Sequence, residues 1–430
     1  LKTTQLLRDI GWYHIVVVYD SGNALASNRE IIYLNGERIT DFATEAYVSQ
    51  NLDGLICGSH LHQVGMFDGV ATSLNGYLAE TVLLDGTATG PTSFGEYDST
   101  GLYWTPLVSS TIKGLTFGTT GFYLDNTTNA QTDASGEGNN FTNTGSVTTT
   151  THTPTNVNCT LSQLDKNSAT VLSNGNRTQS DLGASWRVVK STFTLPTTGK
   201  WYWEMTWSVG SSDGHIFGVC LNSFNPLTIS ASGNAGAYAW STYGNKYIGA
   251  TSSSYATAPT NSDKIGYLFD ADAGTLVFYK NNVSQGTLAT GLTFASVGLL
   301  NVYSNLYDSW VPTFHFNEAE WEYSAPTDHK ALTTTVLAET TDRTASDSNK
   351  YFQTTLFTVA KSGLSVRASS QYLSRTPSST GNTQKGTFSA WLKRTIPVAG
   401  GYDYIFTCRI SNVQMFNIYF TNLNTLHVSN

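Results

Sequence analysis

The chain has 430 residues, which at roughly 100–200 residues per domain leaves room for several packed units and excludes a small disulfide-stapled scaffold. Charged residues make up 13% against 12% aromatic and 40% hydrophobic, a balance that suits packed β structure and excludes a disordered chain. With 23 Lys and Arg against 31 Asp and Glu, the net charge is −8, so neither nucleic acid nor an anionic membrane is an expected partner.

No apolar run is long enough to span a membrane, and the opening LKTTQLLRDIGWYHIVVVYD has neither the basic flank nor the apolar block of a signal peptide. No membrane insertion is expected. Cys57, Cys159, Cys220 and Cys408 are widely spaced without a CxxC pair, so they are expected as small buried hydrophobes. The sequons at Asn126, Asn158 and Asn282 carry no further support and are taken as chance.

Taken in chain order, β-branched and aromatic runs bounded by turn residues predict strands at 13–20, 30–35, 77–84, 200–208, 215–221, 264–270, 275–280 and 313–316. Asn35-Gly36, Asp85-Gly86 and Ala273-Gly274 supply the turns. Helical periodicity is nearly absent, and the expected fold class is all-β. Residues 126–182, rich in Thr, Asn, Ser and Gly, predict an extended linker, and 325–363 a second one. The chain then divides into 1–125, a central 183–324 and a closing 364–430. Within KWYWEMTW, alternation sets Trp201, Trp203, Met205 and Trp207 on one face, a core, and Tyr202, Glu204 and Thr206 on the other.

The central stretch, with HIFGVCLNSF, IGYLFDADAGTLVFYKNNVSQG and VPTFHFNEAEWEY, resembles the SPRY domain, a β-sandwich interaction module. Asn282 stands where that family's Asn-Gly turn has glycine. WYHIVVVYDSGNALASNREIIYLNGERITDF with LNGYLAETVLLDG is similar to the later half of a laminin-G or concanavalin A-like jelly roll. The last piece, with QYLSR and FSAWLKRT, looks like the opening half of the same module.

Two antiparallel sandwiches are therefore implied, one discontinuous in sequence. Residues 364–430 complete 1–125 in the same chain or in a neighbouring one, or the chain is one period of a longer array. Connecting stretches such as SFGEYDSTGLYWTPL and FHFNEAEWEYSAPTDHKAL resemble tail and fibre-associated proteins of tailed bacteriophages. That resemblance implies a structural and adhesion protein at the virion surface, outside the cell. Its implied partners are further copies of itself and either a host surface glycan or another virion protein.

Several groups invite a chemical reading. Gly210-Ser-Ser-Asp-Gly214 matches a nucleophile elbow around Ser212, yet joins two antiparallel strands where that motif needs a strand-to-helix turn. Gly136-Glu-Gly-Asn-Asn-Phe begins like a dinucleotide fingerprint but lacks the third glycine. Glu318, Glu320 and Glu322 alternate and so predict three carboxylates on one side of a strand, the arrangement a glycosidase uses. The alternative to a binding protein is accordingly a glycan depolymerase, or a filament subunit exchanging jelly-roll halves; no catalytic residue is assigned.

His60 and His62 are expected on one strand face, where copies around an axis would offer imidazoles to a metal, although with no further ligand nearby in sequence an ordinary exposed or hydrogen-bonded pair is the favoured reading. Asp125, Asp133, Asn139 and Asn140 offer oxygen ligands for calcium, although Asx turns are the favoured reading because the EF-hand spacing is missing. No cofactor is assigned. In 231–255, Trp240, Tyr243, Tyr247 and Tyr255 lie among Gly, Ser and Asn, a composition suited to stacking on sugar rings or a protein epitope, with some of the four needed for the core.

Overall fold

The computed structural model describes residues 1–7, 11–67, 74, 76–98, 104–145, 147–150, 152–180, 185–208, 214–226, 236–307, 310–334, 363–366, 371–394, 402–410 and 414–430. Strands dominate, and the described helices are short pieces such as Ser109–Lys113 and Phe294–Val297. The chain is all-β, built from antiparallel sheets of the β-sandwich, jelly-roll type. It divides into two compact units, residues 1–155 with 358–430, and residues 156–357.

In the first unit, one sheet runs in the order Thr142–Thr144, Tyr372–Arg375, Leu61–Val64, Asp403–Arg409, Met415–Phe420, Thr425–Ser429, Lys2–Leu6, Phe42–Thr44. The other sets Lys385–Arg394 between Gly76–Asp85 and Tyr13–Asp20, followed by Glu30–Leu34. N-terminal and C-terminal segments of one chain thus alternate in both sheets. Leu1 and Val428 lie side by side, the terminal amine donating to the Val428 carbonyl at 2.8 Å.

The run Tyr13–Asp20 is apolar almost throughout because both of its faces are covered. Ile15, Val17 and Tyr19 pack with Phe388, Phe406 and Ile418 between the sheets. Val16 and Val18 pack outward under Phe94, Ile112, Phe117 and Tyr123.

The second unit has a sheet ordered Leu161–Lys166, Trp186–Thr194, Leu300–Tyr307, His215–Leu221, Ala237–Ser241, Asn245–Ile248, Thr251–Ser254. Its partner sheet is ordered Val171–Ser173, Thr178–Ser180, Pro312–His315, Lys200–Trp207, Ile265–Asp270, Thr275–Lys280, Val283–Ala289. Trp201, Trp203, Met205 and Trp207 all enter the core between them, as alternation predicts.

The opposite face of Lys200–Trp207 is covered as well. Trp321 packs edge-on against Tyr202, and the buried Glu204 carboxylate accepts the Tyr202 hydroxyl and the backbone N–H groups of Glu322 and Tyr323. A buried carboxylate persists because three donors replace its water.

In this architecture a stretch expected as a linker and a row of carboxylates differ from the sequence expectation. The stretch 126–182, expected as a linker, contributes strands at Thr142–Thr144 and Thr148–Thr150 to the first unit and at Leu161–Lys166, Val171–Ser173 and Thr178–Ser180 to the second. Its Thr residues fit a pleated edge, and Phe141, Val147, Leu161 and Leu172 anchor it in the cores. Glu318, Glu320 and Glu322 do not share a strand. Glu318–Glu320 is a 3-10 turn capped by the Asn317 side chain, which accepts from the Ala319 N–H.

Candidate binding surface

The turn at residues 242–244, the segment 255–257 and the hairpin turn at 281–282 meet at one end of the second unit. Gly244 has φ +82°, and a side chain there would meet the Ala256 carbonyl at 2.6 Å, so only glycine fits. Its carbonyl accepts the N–H groups of Tyr255 and Ala256. Tyr255 then donates its hydroxyl to the Gly286 carbonyl, and the Lys280 ammonium donates to Thr257 O at 3.4 Å. Asn281 and Asn282 take φ of 52° and 64°, as the two central residues of a tight type I′ hairpin turn require, so the missing glycine is replaced by the other residue that tolerates this region.

These bonds tie three loops into one platform. Tyr243, 53% exposed, packs against Gly214 beside Trp186, and Val283, 63% exposed, follows the hairpin turn, where an ordinary turn is polar.

Of the four aromatics expected to recognise a ligand, one is placed differently. Trp240 is fully buried, its ring 5.6 Å from each of Phe217, Tyr255 and Phe278, and it is a core residue that no ligand reaches. Alternation explains this: Ala237 and Ala239 take the outer face of their strand and Trp240 the inner. Tyr255 stacks edge-on against it and is half-buried, which pushes its phenol up to about 12. Tyr247 is half-buried against the outer cluster of Val188, Ile216 and Tyr303. Tyr243 is the most exposed of the four, and Val283 and Lys280 join it; the hairpin signal at Asn281-Asn282 is what marks them in the sequence.

The remaining candidates do not converge on a centre. Glu320 pairs with Arg177, and Glu322 lies 3.6 Å from Lys264, so these two carboxylates face separate cations. His62 is buried in the first unit's core, its ring 5.7 Å from Phe406, while His60 precedes the strand in a bend. Burial, then Arg375 and His60, hold the His62 imidazole at about 3. It therefore offers nothing to a neighbouring copy.

Asp133 accepts from the N–H groups of Tyr123, Ser135 and Asn139 and from the Ser135 hydroxyl, while Asp125 accepts from Thr127 and pairs with Lys113 at 2.9 Å. Asn139 donates to the Thr119 and Gly121 carbonyls and Asn140 accepts the Asp133 N–H. These oxygens are engaged as Asx turns and loop ties. Among the described residues no group of three His, Cys, Asp or Glu side chains is arranged to hold a metal ion. Ser212 lies outside the described residues.

The SPRY-domain family model matches residues 200–307. The second unit thus carries a SPRY domain. Among solved structures, the SPRY domain of human HERC1 matches with a TM-score of 0.32 and 15% identity, over 36% of this chain and 96% of that one. A human SPRY domain matches at 0.29 and 14%, covering 34% and 94%, and the TRIM65 PSpry domain at 0.29 and 16%, covering 36% and 91%. No curated protein matches the chain.

Proposed function

We propose that the chain is a non-enzymatic binding and structural protein of a bacteriophage particle, acting at the virion surface in a tail or fibre. The SPRY domain makes the second unit a protein-interaction module. The observation that carries the reading is the bonded platform displaying Tyr243 and Val283 at one end of that module. Rigid loops bearing an aromatic and an aliphatic anchor lose little entropy on binding. Repeated copies in a virion turn weak single contacts into firm attachment, because linked sites raise effective concentration.

A photo-crosslinking residue at position 283 tests this, with position 164, where Leu164 is 75% exposed on a different edge strand, as the control. With host envelopes or phage particles present, position 283 is expected to trap one discrete protein and position 164 none. Equal trapping at both positions, or none at either, would contradict the reading.

A further inference from the structure

Each sheet of a sandwich ends in two edge strands whose outer backbone groups lack a neighbour, and such edges pair with other chains unless they are short, bulged or charged. Among the described residues, the edges of the four large sheets nearly all carry such a device. Thr142–Thr144, Phe42–Thr44, Thr148–Thr150 and Val171–Ser173 are three residues long, and Glu37–Arg38 is two charged residues. Leu161–Lys166 shifts register against its neighbour and carries Asp165, paired with Lys190 at 2.7 Å. Val283–Ala289 shifts register twice, and the Tyr255 hydroxyl donates to its Gly286 carbonyl.

Thr251–Ser254, which ends the seven-stranded sheet of the second unit, is the exception. It pairs with Asn245–Ile248 in unbroken register, from Thr251 opposite Ile248 to Ser254 opposite Asn245. All four of its residues are exposed, and no charge, proline or bulge blunts it.

The strand behind this edge is fixed. Ile248, Tyr247 and Lys246 pair with Tyr238, Ala239 and Trp240, and the Tyr247 ring packs into the outer cluster. The Lys246 ammonium lies 6.0 Å from the centre of the Tyr255 ring. Thr251–Ser254 is therefore a regular, held template that turns alternate N–H and C=O groups outward.

Charge decides the occupant. A strand that pairs with its own copy brings each residue close to itself, so any charge would meet its like, in a chain whose net charge of −8 already repels a second copy. Thr-Ser-Ser-Ser avoids that repulsion. Antiparallel pairing about a two-fold axis sets Ser253 opposite Ser253 with Ser252 opposite Ser254, or Ser252 opposite Ser252 with Thr251 opposite Ser253, and hydroxyl pairs of this kind are favourable across strands.

We propose that Thr251–Ser254 is a self-association edge, at which a second copy of this chain continues the sheet. The proposal rests on the reading of the chain as a structural protein present in repeated copies, and it names the contact between them. Four residues span about 13 Å, so one such contact is weak and gains strength by repetition.

Sedimentation velocity of the full chain over a concentration series tests this. The parent is expected to shift from one chain to two as concentration rises. Ser252→Lys with Ser253→Lys is expected to stay a single chain throughout, as is Ser252→Glu with Ser253→Glu, because like charges then face each other in either register. An equimolar mixture of these two variants is expected to recover pairing, since Lys then meets Glu. Both positions are exposed, so neither change threatens folding, and thermal melting accompanies each variant. A parent that stays single at every concentration, a Lys variant that pairs as the parent does, or a mixture that fails to pair would each overturn the proposal. Crosslinking from position 283 reads binding of other proteins separately, so failure of either reading is recognised on its own.

Discussion

Lowering the pH from 7 to 5 is expected to remove much of the stability of both units. Three fully buried histidines set this. His14 accepts the Trp104 Nε1–H at Nδ1 and pairs its Nε2 with the Ser389 hydroxyl, both at 2.8 Å. His215 does the same with Trp207 at 2.9 Å and Ser304 at 2.8 Å. Among the described residues His62 has no hydrogen-bond partner, and it faces Arg375 and Cys408 across its neighbouring strands.

Burial holds all three near 3, against about 6.5 when unfolded, with Arg375 adding to the effect at His62. The folded pKa is depressed, so the unfolded chain takes up protons that the native one refuses. Stability is complete above about pH 6.5 and falls continuously towards pH 3. At pH 5 each of the three costs about 2 kcal/mol, hence about 4 kcal/mol from the pair in the first unit and about 2 kcal/mol from the one in the second; His315 in the second unit and His427 in the first, both held at about 4 by burial and then by neighbouring cations, add to these losses. Denaturant titrations at pH 7, 6 and 5 read the loss directly. His62→Leu is expected to remove about half of the first unit's pH slope, and stability unchanged between pH 7 and 5 would contradict the assignment.

The second large effect lies at Arg394 and Asp403, which are 2% and 1% exposed and joined by two contacts at 2.8 and 2.7 Å. Arg394 also donates to Leu7 O at 3.3 Å and Asn424 Oδ1 at 2.9 Å, and its guanidinium lies 4.6 Å from the Phe420 ring centre. It therefore ties the first residues of the chain to its last strands.

Removing Asp403 leaves a buried guanidinium without its counter-charge, and Asp403→Ala is expected to cost the first unit about 3–5 kcal/mol. The paired change Arg394→Met with Asp403→Leu is expected to recover most of that, since apolar groups need no partner. Hydrogen exchange in Tyr13–Asp20 and Lys385–Arg394 reports on the unit concerned. A loss below about 1 kcal/mol for Asp403→Ala would show that the charges are solvated when paired.

Strands bracketed by turn residues were legible in the sequence. The runs at 13–20, 215–221 and 275–280 match the observed Tyr13–Asp20, His215–Leu221 and Thr275–Lys280 to the residue. The Thr-rich strands in 126–182 were not, because short edge strands take their pairing from partners remote in sequence, as Thr148–Thr150 does from Gly363–Val366.

Tyr243 was legible as a surface aromatic in a glycine-rich turn. Trp240 was not distinguishable from it, since composition carries no information about which face of a strand looks inward.

The protein is proposed to bind without cutting. Cosedimentation of the full chain with intact envelopes of a phage-susceptible bacterium, followed by size-exclusion chromatography of the envelope polysaccharide, tests it most directly. The chain is expected to sediment with the envelopes, and the polysaccharide to keep its elution profile. A chain that stays in the supernatant, or polysaccharide that shortens with release of reducing ends, would contradict it.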